Sequence, residues 1–128
     1  KATFHNVFAH PLWLYDPAEA TRRFTAKVEL ADGTLSIDMD WSLTPVRRAL
    51  FAAKADLIWK PLLSTLAARG LLPADWREVI RLALFLCPTL VMNLRAGAAT
   101  HTETSSAIAF AVAVMVGSEP EDGEDEIF

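Results

Sequence analysis

The sequence has little of several things, and each scarcity excludes a class of protein. One cysteine, Cys87, in 128 residues excludes an intramolecular disulfide framework and a multi-cysteine zinc site. The five glycines, at positions 33, 70, 97, 117 and 123, are too scattered for a Gly-rich phosphate loop or a Gly-x-Ser-x-Gly elbow. No apolar run approaches the roughly 18–20 residues that cross a bilayer. The longest, Leu82–Met92, is broken by Pro88 and Thr89, and the next is Ala107–Val116. No signal-peptide core follows Lys1, because Phe4, His5, Asn6 and Phe8 form no continuous apolar stretch. The expectation is a cytoplasmic, non-transmembrane protein. A start at Lys1 instead of Met reads as a processed or partial chain.

Hydrophobic residues at 52% and charged residues at 22% are enough for a folded core and too many for a disordered chain. The length is that of one domain, expected over residues 1–117. The formal charge of −4 is a property of the end of the chain. Residues 1–117 carry 12 basic and 10 acidic side chains, a balance of +2; Glu119, Glu121, Asp122, Glu124, Asp125 and Glu126 supply −6. Residues 118–128 therefore read as an acidic, disordered tail. The low pI does not exclude an anionic partner for the folded part, though nothing indicates specific nucleic-acid binding.

The clearest local signal is a β-hairpin. Over Arg23–Leu30, Phe24, Ala26, Val28 and Leu30 alternate with polar residues. Over Thr34–Trp41, Leu35, Ile37, Met39 and Trp41 do the same. Asp32-Gly33 between them is a tight-turn signature. Thr3–Ala9 is a candidate third strand. Helix starts are marked by Asp16-Pro17 with Glu19, for a short helix to about Arg22, and by Thr44-Pro45 and Asp75 with Glu78. In the second helix Val46, Leu50, Ala53, Leu57 and Ile58 recur at helical spacing opposite Arg47, Arg48 and Lys54, which predicts an amphipathic helix ending at Arg69-Gly70. Pro61 predicts a kink or break near Trp59–Lys60. The third carries Val79, Ile80, Leu82, Ala83, Leu86 and Leu90, with a bend expected at Pro88. Ala107–Val116 suits either a buried strand or a helix boxed by Thr100 and Glu103 and ended by Gly117; the cap favours helix. The fold class is α+β: an antiparallel hairpin of two or three strands covered by two or three long, proline-kinked helices.

Candidate chemistry centres on Asp38-Met39-Asp40-Trp41-Ser42-Leu43. Aspartates at i and i+2 on a strand project to one side, as a divalent cation requires. The string resembles the first motif of haloacid-dehalogenase-like phosphatases, Asp-x-Asp-x-Thr/Val-Leu/Val, with Ser42 at the Thr position. That resemblance implies Asp38 as phosphoryl-accepting nucleophile, Asp40 as acid/base, and Mg²⁺ held by both. It covers six residues, and the strand before it, Thr34-Leu35-Ser36-Ile37, is half polar where the family has an apolar one. The same Asp-x-Asp resembles the nucleotide-sugar motif of some glycosyltransferases, but only 37 residues precede Asp38. His5 and His10 could join Asp38 and Asp40 in space if the first segment lies beside the hairpin. His101-Thr102-Glu103 lacks the Pro-Cys-x-x-Cys that a zinc deaminase needs. Cys87, among leucines, reads as a structural thiol.

Trp13, Tyr15, Trp59 and Trp76 are candidate residues of an interface or apolar-ligand groove, since Trp is enriched where proteins meet. Leu82–Met92 and Ala107–Val116 hold more apolar surface than a small hairpin covers. The leading functional expectation is therefore a binding or scaffold domain that buries apolar helices against a protein partner, a second copy, or the rest of its parent protein. The alternative is a Mg²⁺-dependent phosphoryl-transfer or hydrolytic enzyme using Asp38 and Asp40. An apolar-ligand carrier ranks third. No cofactor is expected apart from Mg²⁺ in the enzyme.

Overall fold

A computed structural model describes residues 7–8, 16–92 and 100–120. The element order is α1 (Pro17–Arg23), β1 (Ala26–Ala31), β2 (Thr34–Met39), α2 (Pro45–Lys54), a π-helical turn (Ala55–Trp59), α3 (Lys60–Ala68), α4 (Trp76–Met92) and α5 (Glu103–Gly117). The class is α+β, with two strands in the sheet among the described residues. Of the candidate strand Thr3–Ala9 only Val7 and Phe8 are described, and both are buried in the core.

Local chemistry accounts for most element ends. Asp16 caps α1, its carboxylate accepting from the Glu19 amide at 3.0 Å. Glu19 does not reach back to complete the box. It instead takes bonds from Arg22 and from Arg23 Nε (2.6 Å). The Arg22 bond, then the Arg23 bond, hold its carboxyl below the ordinary carboxylate range. The hairpin turns on Asp32 (φ 50°) and Gly33 (φ 77°), joining the Ala31↔Thr34 pair. Positive φ at both central residues is the type I′ turn that matches the twist of the strands. Gly70 (φ 65°) ends α3: its amide bonds Ala67 O and the Leu71 amide bonds Leu66 O, the paired bonds of a Schellman cap.

Ala107–Val116 is helix. Its cap lies two residues beyond the expected Thr100: the Thr102 hydroxyl accepts from the Ser105 amide (3.1 Å) and the Ser105 hydroxyl accepts from the Thr102 amide (3.0 Å). The Thr21 hydroxyl also donates to Thr102 Oγ1 at 2.6 Å, tying α1 to this helix start. α5 is the centre of the fold. It packs on α1, β1, β2 and α4, and Ile108, Ala109, Val112 and Val116 bury completely or nearly so. Trp41, Leu84 and Cys87 join them, with Val7 and Phe8, whose ring meets Phe51 edge-on at 5.2 Å. Arg81 meets Glu119 and Phe85 meets Gly117, so α4 and α5 run antiparallel.

Pro61 does not break its helix. The turn just before it widens to π geometry, and the Lys60 amide reaches back to Ala55 O. The wider turn relieves the clash of the proline ring with the preceding carbonyls. The result is one continuous helical arm, Pro45–Ala68, roughly 36 Å long at ~1.5 Å per residue. α4 likewise continues through Pro88 to Met92.

Candidate functional site

The Asp-x-Asp pair sits where β2 ends. Pleating puts Asp38 and Asp40 on one side of the strand. Asp38 is exposed and stands opposite Lys27 in the register. Asp40 lies one step past the last ladder pair. Its two carboxylate oxygens accept from the Thr25 amide (2.8 Å) and the Thr25 hydroxyl (2.9 Å), while its own amide donates to Thr25 O at 3.3 Å. Asp40 thus fastens the open end of the hairpin with both oxygens engaged. His5 and His10 lie outside the described residues. Among the described residues no three of His, Cys, Asp and Glu gather as a metal site would require.

This geometry gives a direct expectation. Asp40→Ala should destabilise the domain by about 1 kcal/mol, and Thr25→Val, which keeps the amide bond, by less. Urea unfolding checks both. A Mg²⁺ titration followed by NMR separates the two roles: a hairpin fastener leaves the amides of Thr25, Asp38 and Asp40 unmoved, whereas a metal pair shifts them.

The aromatic candidates do not share one element. Trp13 and Tyr15 lie outside the described residues. Trp59 is half-buried on the arm, and Trp76 opens α4 beneath the Arg77 guanidinium, 4.3 Å from the ring centre. Trp41 belongs to the core.

Among the described residues, one exposed apolar row is a face that helical spacing assigns the other way. Along the arm, the more enclosed positions are Arg47, Phe51, Lys54, Ala55, Trp59, Leu63 and Leu66. Leaving Lys54 at the edge, they advance from Phe51 by four, four, four and three residues, a longer step than an α-helix takes, because the π turn holds one residue more than an α turn. Val46, Leu50, Ala53, Leu57 and Ile58, the stripe that spacing reads as the buried face, point into solvent. Val46 is 78% exposed and Leu57 77%. Leu62 is exposed beside them. The arm is apolar on two sides, and one of them, through Phe51 and Ala55, is the more enclosed.

Smaller uncovered surfaces accompany it. Val79, Leu82 and Leu86 form an exposed row on α4, so that helix keeps its other side, with Ile80, Leu84 and Cys87, for the core. At the hairpin tip the Leu30↔Leu35 pair is exposed, whereas Ala26 and Met39 at the base pack on the core. The helices therefore cover only the base of the hairpin. Ala107–Val116, the other run with apolar surface to spare, is consumed within the chain, apart from Val114 and Met115.

The arm is also the most basic segment. Positions 45–69 hold Arg47, Arg48, Lys54, Lys60 and Arg69 against Asp56 alone, a balance of +4. Asp56 is paired with Lys60 at 2.6 Å. Among the described residues no helix is long and apolar enough to cross a membrane. No protein-family model matches the chain, and no curated protein or solved structure is significantly similar to it.

Proposed function

We propose that this domain is a protein-interaction module whose binding surface is the outer face of the helical arm: Val46, Leu50, Ala53 and Leu57, with Ile58 and Leu62 alongside. The observation that carries this reading is the exposure of that stripe along a helix whose inward residues are Phe51, packed on the core, and buried Ala55. Apolar residues scattered singly on a surface need no explanation, but a row repeating along one helix does. Leaving such a row in water costs about 25 cal/mol for each Å² of apolar area that a partner could cover. The mode would be helix on helix, read through anchors at i, i+4, i+7 and i+11.

Val46→Glu/Leu57→Glu tests it. Both side chains are mostly exposed, so the thermal midpoint of the purified variant should stay within about 2 °C of the parent. A photo-crosslinking amino acid at Leu50 should give a discrete adduct in cells, and the double variant should abolish it. A drop in stability of several kcal/mol would place the stripe in a core instead. Adducts no different from those formed at exposed Ser64 would remove the interaction reading.

The enzyme alternative, with Mg²⁺ on Asp38 and Asp40, rests on their shared side of the strand alone, and the Thr25 bonds give Asp40 a structural role that needs no metal.

A further inference from the structure

We infer that β1 is the contact edge of a two-fold dimer, pairing antiparallel with β1 of a second copy about Val28. The backbone sets the phase. The bond from the Asp40 amide to Thr25 O marks Thr25↔Asp40 as a hydrogen-bonded pair. Such pairs alternate along an antiparallel ladder, so Lys27↔Asp38, Glu29↔Ser36 and Ala31↔Thr34 exchange bonds as well. The N–H and C=O groups of Ala26, Val28 and Leu30 therefore point away from β2. Among the described residues no other backbone bond occupies that edge. An added strand must exchange its bonds with these three residues.

Charge then chooses the register. Lys27 and Glu29 are exposed, and among the described residues neither has an ion-pair partner. Self-pairing centred on Lys27 would set that lysine against its own copy, and self-pairing centred on Glu29 would do the same to the glutamate. Like charges directly opposite destabilise a sheet. Pairing centred on Val28 instead sets Lys27 opposite the second copy's Glu29, and Glu29 opposite its Lys27. Both pairs fall at non-hydrogen-bonded positions, where Cα atoms are about 4.5 Å apart and side chains lie closest. The outer edge of β2 offers no such match, because its one charged residue, Asp38, has no cation beside it on that strand.

The apolar face gains from the same register. Ala26, Val28 and Leu30 share one face of the hairpin with Leu35, Ile37 and Met39. The core holds Ala26 and Met39 at the base, but Val28 is 52% exposed and Leu30 72%. In the dimer Val28 meets Val28, and Leu30 lies opposite the second copy's Ala26, beside the second copy's Met39. Each uncovered tip is thus carried to the base of the other hairpin. Two strands alone make a marginal sheet, and pairing makes four. The contact is isologous, so this edge is consumed at two copies.

Sedimentation equilibrium of the intact chain is the test. The parent should dimerise, and Glu29→Lys, which sets lysine against lysine at both charged pairs, should raise the dissociation constant by about tenfold or more. Glu29 is exposed and faces Ser36 in its own hairpin, so the thermal midpoint should hold. Mixing Glu29→Lys with Lys27→Glu should restore association as a heterodimer, since one chain then supplies the lysines and the other the glutamates. Oxidative cross-linking reads the register. Val28→Cys should form a disulfide-linked dimer, because the two-fold sets the paired Cα atoms about 5.5 Å apart. Leu35→Cys, of comparable exposure at 46%, should not, since β2 lies at the outside of the four-stranded sheet. Cys87, 1% exposed, stays out of the exchange. If Glu29→Lys lowers the thermal midpoint, the two cysteine variants decide alone. A parent that stays monomeric at every attainable concentration, a dimer indifferent to Glu29→Lys, or equal cross-linking at the two positions would overturn the inference. So would a dimer dissolved only by Val46→Glu/Leu57→Glu, which would seat the second copy on the arm.

Discussion

Ile108→Ala should lower the stability of the domain by about 3 kcal/mol, the largest loss expected from any single truncation. Ile108 is 0% exposed near the middle of α5, the helix on which α1, both strands and α4 pack. Its truncation removes apolar contacts and leaves a cavity that four separate elements would have to move together to close. Closely packed interiors relax only in part, so transfer and cavity terms add. The midpoint of urea unfolding should fall with little change in slope, and the thermal midpoint should drop by roughly 10 °C. Met115→Ala on the same helix is the control. Its side chain is 52% exposed, and its loss should cost well under 1 kcal/mol. Equal effects at the two positions would mean that α5 is not the centre of the core.

Gly117→Ala should be the next most damaging change, at roughly 2 kcal/mol, although it adds a single methyl group. A Cβ at Gly117 would stand 2.7 Å from the Cβ of Phe85. The obstacle is the first atom of the Phe85 side chain, with no torsion of its own to turn it aside. α4 and α5 would have to separate. The prediction sharpens through a second substitution. Phe85→Leu shortens the ring but keeps the Cβ, so it should not rescue Gly117→Ala. Phe85→Gly would relieve the contact, at the usual cost of glycine within a helix. Rescue by Phe85→Leu would show that the ring, and not the approach of the two helices, is limiting. Denaturation of Gly117→Ala, of the two Phe85 variants and of the two double variants decides between them.

What could be read from the residues, and what could not, divides along a physical line. The hairpin, its Asp32-Gly33 turn and the caps at Asp16 and Thr44 were legible because each depends on neighbours in sequence. The helical state of Ala107–Val116 followed from its start and not from its periodicity. An all-apolar run has no faces to compare, and the cap itself lay at Thr102, not Thr100. The role of Asp40 was not legible. Its bonds to Thr25 depend on the register that brings Thr25 opposite it, which no local spacing states. The outward stripe escaped for another reason. Amphipathic spacing says that a helix has an apolar side; it does not say that this chain owns the surface that covers it. The arm has two such sides. Only packing through Phe51 and Ala55 distinguishes them.

The π turn before Pro61 bears on how any sequence similar to this one should be aligned. It stores one residue more than an ordinary turn would hold. A homologue lacking one residue between Phe51 and Leu63, and lacking the proline, could run straight through this region as plain α-helix. It would still present the same two faces, since removing the stored residue restores the usual repeat. A gap at that point would thus be silent in shape, while a gap anywhere else in the arm would rotate one half against the other by about 100° and divide the outer stripe between two directions.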